Sequence, residues 1–346
     1  MEDGYHERVY DDGMSYKGEF KSNQFHGQGI LKTPNGWLYK GQFKNGDYHG
    51  QGTLKEPNGE VFQGEWVNGK RIRGLYKHPS GSMYEGEWQD DSPHGQGTLK
   101  QNDFEYKGKW KYGKFHGNGI WFSDGDRYEG QFSNGLYNGQ GKYIWKDGSK
   151  YEGEWKNGLQ HGNGIELWEN GSCYEGEYRN NLKHGQGKIS WSDGWRYEGQ
   201  WKDDYPHGPG KKILPDGKVF EGKFKKGEAH GYGFLKSPEG EIINKGIWKK
   251  NIAPNARGDW ASPPIKNNDG MTPIKPAQNL FTGEIIRTPY LEVTPGTIRG
   301  IQTIVQESGE ETTVFKMPGF QNLPSNYKEG EDWPGTVTFQ TQLGSD

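Results

Sequence analysis

The chain has 346 residues, 29% of them hydrophobic and 26% charged, with 57 glycines and a formal net charge of −3. So polar a composition usually marks disorder, but 14 Trp, 20 Tyr and 15 Phe each supply about 150–250 Å² of apolar surface when buried. The mixed charge excludes the basic stripe of a nucleic-acid binder. The one cysteine, Cys173, excludes an internal disulfide and suits a reducing compartment.

The chain opens on Met1-Glu2-Asp3-Gly4, which reads as no signal peptide. No run approaches the ~20 apolar residues of a membrane span, and a soluble intracellular protein is expected. Residues 1–15 read as a half repeat or cap, from Tyr10-Asp11-Asp12-Gly13. From Tyr16 to Ile243 a block of about 23 residues recurs ten times. Its opening aromatic falls at Tyr16, Tyr39, Phe62, Tyr84, Tyr106, Tyr128, Tyr151, Tyr174, Tyr197 and Phe220. A fixed period of this size predicts a stacked array, not an enzyme built round one pocket.

Within a block, Tyr151, Gly153 and Trp155 alternate with Glu152 and Glu154, the period of a half-buried strand. Asn157-Gly158 follows, a tight-turn signal that supplies positive φ. Asp90-Asp91, Asn180-Asn181 and Asp203-Asp204 replace it elsewhere. A second strand begins at His-Gly-x-Gly and ends at another turn, such as Asp147-Gly148. Gly153 lies between two rings on one face and predicts a slot that a neighbouring aromatic fills. A lone hairpin cannot bury its own apolar face, so stacking is obligatory. Ten hairpins at ~4.7–4.8 Å per strand would run on the order of 95 Å.

Spacing drops to 22 in three consecutive blocks, from Phe62 to Tyr128. A lost residue alters a turn or bulge, and a change of curvature is expected over 62–127. The array is assigned to 16–251. From 252 to 346 the chain holds ten of its 18 prolines and is expected to be an extended arm. Short strands are predicted at 297–305, 312–316 and 336–339.

The pattern Tyr-Glu-Gly-Glu-Trp-x-Asn-Gly-x-x-His-Gly-x-Gly resembles the MORN repeat, over roughly residues 16–250. That resemblance implies an all-β fold, an elongated single-layer twisted antiparallel sheet of about ten stacked hairpins. It also implies a non-catalytic scaffold in a large assembly, most similar to ciliary proteins of the axonemal radial spoke head. The expected partners are radial-spoke or cytoskeletal subunits, with a homodimer admitted and nucleic acid excluded. A junctophilin-like, phosphoinositide-tethering role is the alternative, against which the mixed charge counts. A methyltransferase or lipid kinase fused to the array is disfavoured, because the ~95 residues of tail are too short for the kinase and lack the methyltransferase's Asn-His element. The expected docking surface is the aromatic face: Phe20, Phe43, Trp66, Trp88, Trp110, Phe132, Trp155, Tyr178, Trp201 and Phe224.

Other recurring groups invite sharper readings. Gly-x-Gly could cradle phosphate, but no helix N-terminus follows it. His26, His49, His94, His116, His161, His184, His207 and His230 share one repeat position. At ~10 Å between copies they are too far apart to share an ion with ligands at ~2 Å. The Glu152 and Glu154 rows read as a solvated charged face. No cofactor, metal or catalytic set is expected.

Overall fold

The computed structural model describes residues 3–254 and three short strands, Ile304–Val305, Glu311–Val314 and Thr338–Phe339. The three short strands pair antiparallel into a small sheet of their own. The rest of the expected proline-rich arm lies outside the described residues.

Twenty-two strands of residues 4–248 make one sheet. Each pairs antiparallel with its sequence neighbours, as in Lys150–Lys156 with Leu159–Leu167 and then with Cys173–Arg179. The topology is an uninterrupted meander, the cheapest solution for a chain whose strands are joined by tight turns. The first turn of each repeat has φ > 0 at both central residues: Asn157 (52°) and Gly158 (83°), Asp90 (48°) and Asp91 (55°), Asn180 (52°) and Asn181 (68°). That geometry matches the twist of the flanking strands. Asn-Gly and its Asp variants announce it in sequence. Ser22-Asn23 and Tyr112-Gly113 adopt it as well with less warning.

The second turn is wider. Trp145 N–H donates to the Ser149 carbonyl and Gly148 N–H to the Trp145 carbonyl, both at 2.9 Å. The three 22-residue blocks lose their residue in different places. The first shortens the second strand to Lys70–Lys77, eight residues. The next two contract the wide turn, at Asn102-Asp103 and Asp124-Gly125.

From Ser15–Lys21 onward, register places one glycine of each strand opposite a glycine of the next. The row runs Gly130, Gly141, Gly153, Gly164, Gly176, Gly187 through the middle of the array. The reason is the tyrosine. A Cβ on Gly164 would lie 2.5 Å from the Tyr151 ring, and one on Gly153 would lie 2.5 Å from the Gly164 Cα. The ring lies flat across backbone that has no side chains. Its hydroxyl reaches past them to donate to the Glu154 carbonyl at 2.9 Å. The glycine is thus a slot, and its occupant is the ring of its own repeat. The neighbour's ring arrives at the rim instead: Tyr151 meets Tyr178 edge-on at 5.2 Å between centroids. The same contact recurs as Tyr16–Phe43, Tyr84–Trp110 and Phe220–Trp248.

Candidate functional site

The sheet has two unlike faces, and the ring face comes first. Phe20, Phe43, Trp66, Trp88, Trp110, Phe132, Trp155, Tyr178, Trp201 and Phe224 are at most 5% exposed. The expectation of a docking surface made of these ten rings is corrected here. Each but Phe20, which packs against Tyr16 and His6, is packed between the opening aromatics of its own and the preceding repeat, as Trp155 is between Tyr151 and Tyr128. Their polar edges turn inward too, with Trp155 Nε1 donating to the Gly141 carbonyl at 3.1 Å. They form the core that a single sheet otherwise lacks.

A third ring, missed in sequence, completes that core in part of the array. Phe25, Tyr48, Phe115 and Tyr137 stack face to face on Tyr16, Tyr39, Tyr106 and Tyr128, at 3.7–3.9 Å. The signal was present: each stands just before the His-Gly position. It is hidden because later repeats carry Gln160, Lys183, Pro206 and Ala229 there.

Charged groups enter the core in those later repeats. Glu166 is 1% exposed. It accepts from the Tyr178 hydroxyl at 2.9 Å and lies 3.6 Å from Lys183 Nζ. Burial pushes the Glu166 carboxyl up, against the opposing pull of Lys183. The Lys212 ammonium stands 4.6 Å over the Trp195 ring, and burial lowers it to about 8. These groups are dispersed over several repeats, and they do not converge on one cleft.

The opposite face is polar. Glu152 and Glu154 straddle Gly153, and corresponding pairs straddle each glycine of the row. The result is a trough of about 820 Å³ floored by Gly153, Gly164, Gly176 and Gly187 and walled by Gln140, Glu152, Glu175, Gln186, Lys188 and Glu198. One wall mixes the two signs, running Lys142, Glu152, Ile165, Glu175, Lys188 and Glu198 across successive strands, with Lys142–Glu152 at 3.2 Å and Lys188–Glu175 at 2.9 Å. Exposed pairs of this kind contribute ~0–1 kcal/mol each, so they shape the surface potential more than they stabilise the sheet. The other wall has a structural duty that the sequence reading gave to solvent. Glu154 Oε1 accepts the Asn163 N–H at 2.9 Å, and Glu19, Glu87 and Glu177 do the same for Gln28, Gln96 and Gln186. The acceptor is needed because the register slips between Gly153 and Glu154, a bulge that leaves that donor without a ladder partner. Gly162 takes φ of 54° there, which is the structural purpose of the His-Gly element.

Each of the eight histidines follows its turn at this bulge. Among the described residues no group of three or more His, Cys, Asp or Glu side chains could hold a metal ion.

Comparison with known proteins agrees with this repeat structure. A family model described as MORN repeat matches residues 16–38, 39–61, 62–71, 84–103, 106–127, 128–150, 151–173, 174–196, 197–219 and 220–242. No curated protein matches the chain. Among solved structures, a point mutant of the TCP10 domain of Danio rerio CPAP is similar at a TM-score of 0.24 and 12% identity, over 70% of this chain and 99% of that one. The Drosophila melanogaster SAS-4 (dCPAP) TCP domain, in complex with a proline-rich motif of Ana2 (dSTIL), is similar at 0.23 and 10%, over 57% and 85%. At these scores neither likeness bears on function.

Proposed function

The chain belongs to the MORN-repeat family, and on that premise we propose that it is a non-catalytic scaffold that docks partner proteins along its polar face. One observation carries this reading. Rings, glycines, turns and the bulge-capping glutamates are spent on holding the sheet together, and what remains free is a shallow trough lined by charges of both signs. Repetition of one shallow surface suits an extended or repetitive partner, because each added repeat adds the same contacts. The assembly we propose is cytoskeletal, in the axoneme of a cilium, with radial-spoke subunits as the partners.

Affinity purification from ciliated cells, with cross-linking mass spectrometry, tests this. Axonemal subunits cross-linked to Lys142, Lys188 and Lys211 are the expected result. Recovery of only lipids and vesicle proteins would sink it. So would flotation with phosphoinositide vesicles that is lost at high salt, the behaviour of a membrane tether.

A further inference from the structure

The polar face changes character along its tight-turn margin, midway down the array. The residues on either side of each tight turn stand directly opposite each other: Ser133 and Leu136, Lys156 and Leu159, Arg179 and Leu182, Lys202 and Tyr205. Opposed side chains share a face. Lys156 lies two residues beyond Glu154, so that face is the polar one. In the first five repeats the residue after the turn is Gln24, Asp47, Lys70, Ser92 or Lys114, and in the tenth it is Glu228. In repeats six to nine it is Leu136, Leu159, Leu182 and Tyr205. Joining hairpins does not require an apolar residue there, because the first five repeats pack without one. Leu136 does lie against the following turn, 4.0 Å from where a Cβ on Gly158 would stand. Leu182 and Tyr205 are nevertheless each left 38% exposed.

Cations stand between the members of this row. In strand order Lys156, Arg179 and Lys202 separate one apolar residue from the next, and Lys225 follows Tyr205. Arg179 is shared with Asp203 at 3.1 Å, whereas Lys156, Lys202 and Lys225 are exposed and have no ion-pair partner among the described residues. Glu154 and Glu177, next inward, are turned onto the bulge amides of Asn163 and Gln186. The margin is therefore apolar and basic by turns.

We infer that this margin docks an acidic amphipathic α-helix of a partner protein, laid along repeats six to nine. The inference rests on the scaffold reading and names the partner's chemistry. Strands ~4.7–4.9 Å apart bring the row round about every 9.5 Å, and sheet twist lengthens that spacing at the margin. A helix rises ~1.5 Å per residue, so one face returns every seven residues, at about 10.5 Å. Midway, three or four residues on, it offers a second side chain, which meets the cation between two apolar residues. The fitting helix thus carries an apolar anchor once per heptad and a carboxylate half a heptad later. Four anchors need about 22 residues. Other occupants fit less well. A β-strand shows one face every ~6.7 Å, out of step with the row. A polyproline helix returns every ~9.3 Å, but with one residue per turn on that face it leaves each cation unmet. A second copy of this margin would set cation against cation.

A fluorescent three-heptad peptide tests this on the full-length chain. It carries Leu at the first and Glu at the fourth position of each heptad, and Ala or Gln elsewhere. Saturable binding by anisotropy is expected, with a gain of peptide helicity by circular dichroism. Lys156→Glu with Lys202→Glu should weaken binding about tenfold, and a peptide with Lys in place of each Glu should recover the loss. Both lysines are exposed, so folding is not at stake. Leu159→Ser with Leu182→Ser should also cost about tenfold. Lys21→Glu with Lys44→Glu, at the lysine position of the first two repeats, should change nothing. No saturation by about 1 mM, equal binding of a peptide with the same residues out of heptad order, or equal binding by the Lys156 and Lys202 variant overturns the inference. With such a result, partners still cross-linked at Lys142 and Lys188 leave the scaffold reading standing. Flotation of the chain with anionic vesicles, lost in the same lysine variant, overturns both.

Discussion

Residues 16–145 and 151–251 share one backbone plan, yet they join their repeats by different means. In the first region a stacked ring lies before the bulge in four of the six repeats, at Phe25, Tyr48, Phe115 and Tyr137, and Arg71 and Pro93 hold that place in the other two. The tight turn of the next repeat then ends on glycine, and only its N–H reaches back, as Gly46 does to the Phe25 carbonyl and Gly158 to Tyr137. In the second region the ring is gone, and the turn ends on a side chain that reaches back as well. Gln160, Lys183 and Ala229 each donate their backbone N–H to the side-chain Oδ1 of the next turn's Asn181, Asp204 or Asn251, at 2.7–2.8 Å. Pro206 has no N–H to offer, and the turn above it ends on Gly227. Arg71 breaks the first region in the same sense: it lies over Phe62 and Trp88, pairs with Glu56 at 2.7 Å, and faces Asp91 in the next turn. A ring and a polar staple are thus alternative ways of bonding one hairpin to the next.

The largest expected effect is loss of a ring. Tyr137→Ala should cost about 3–5 kcal/mol by chemical denaturation, and Ala229 marks the position where the array already does without one. A loss under about 1 kcal/mol would break the contrast. Next is the buried pair. Lys183→Met leaves Glu166 without its cation and should cost about 2–3 kcal/mol at pH 7, while adding Glu166→Leu should recover most of it.

A similar size is expected at Lys212, now with a pH signature. Its folded pKa of about 8 lies below the ordinary lysine value, so the unfolded chain holds the proton longer. Stability should therefore rise with pH from about 8 toward 10.4 and stay at its lower level beneath 8. Lys212→Met should flatten that rise and add on the order of 2–3 kcal/mol at pH 7. Melts kept below pH 10 isolate it, because burial lifts the tyrosines, Tyr16 to about 12, and their ionisation then favours the unfolded chain.

The smallest effects sharpen the comparison most. Gln160 is 1% exposed with neither amide atom hydrogen-bonded. Gln160→Phe should convert the repeat to the ringed kind and gain about 1–2 kcal/mol. Asn181→Gly should cost about 1 kcal/mol alone and less in the Gln160→Phe background. Strict additivity in that cycle would mean that ring and staple are independent.

Period, strand pairing and turns were legible because each repeat satisfies local rules by itself: alternation at Tyr151–Trp155 and Asn-Gly at the turn. The two faces were legible as well, but their roles were not. Trp155 and its counterparts read as a grooved surface, since a lone sheet gives no hint of what covers it. Register shows that successive rings cover one another. Glu154 read as solvated, because the bulge that needs it arises only when two strands are set side by side. The third ring was obscured by its own exceptions at Gln160 and Lys183, which make sense only beside the following turn.

The coupling between a residue such as Lys183 and the turn that carries Asp204 has a consequence for grafting and for natural duplication. The exchangeable cassette is not the 23 residues that begin at the tyrosine. A cut there would part a residue from the staple or the glycine that suits it, and a transplanted segment would meet a mismatched neighbour at both seams. A cassette that starts just after one tight turn and runs through the next, such as residues 182–204, keeps each such couple intact. Chimeras cut on that frame should splice cleanly, whereas those cut on the sequence motif should carry a flaw at each joint.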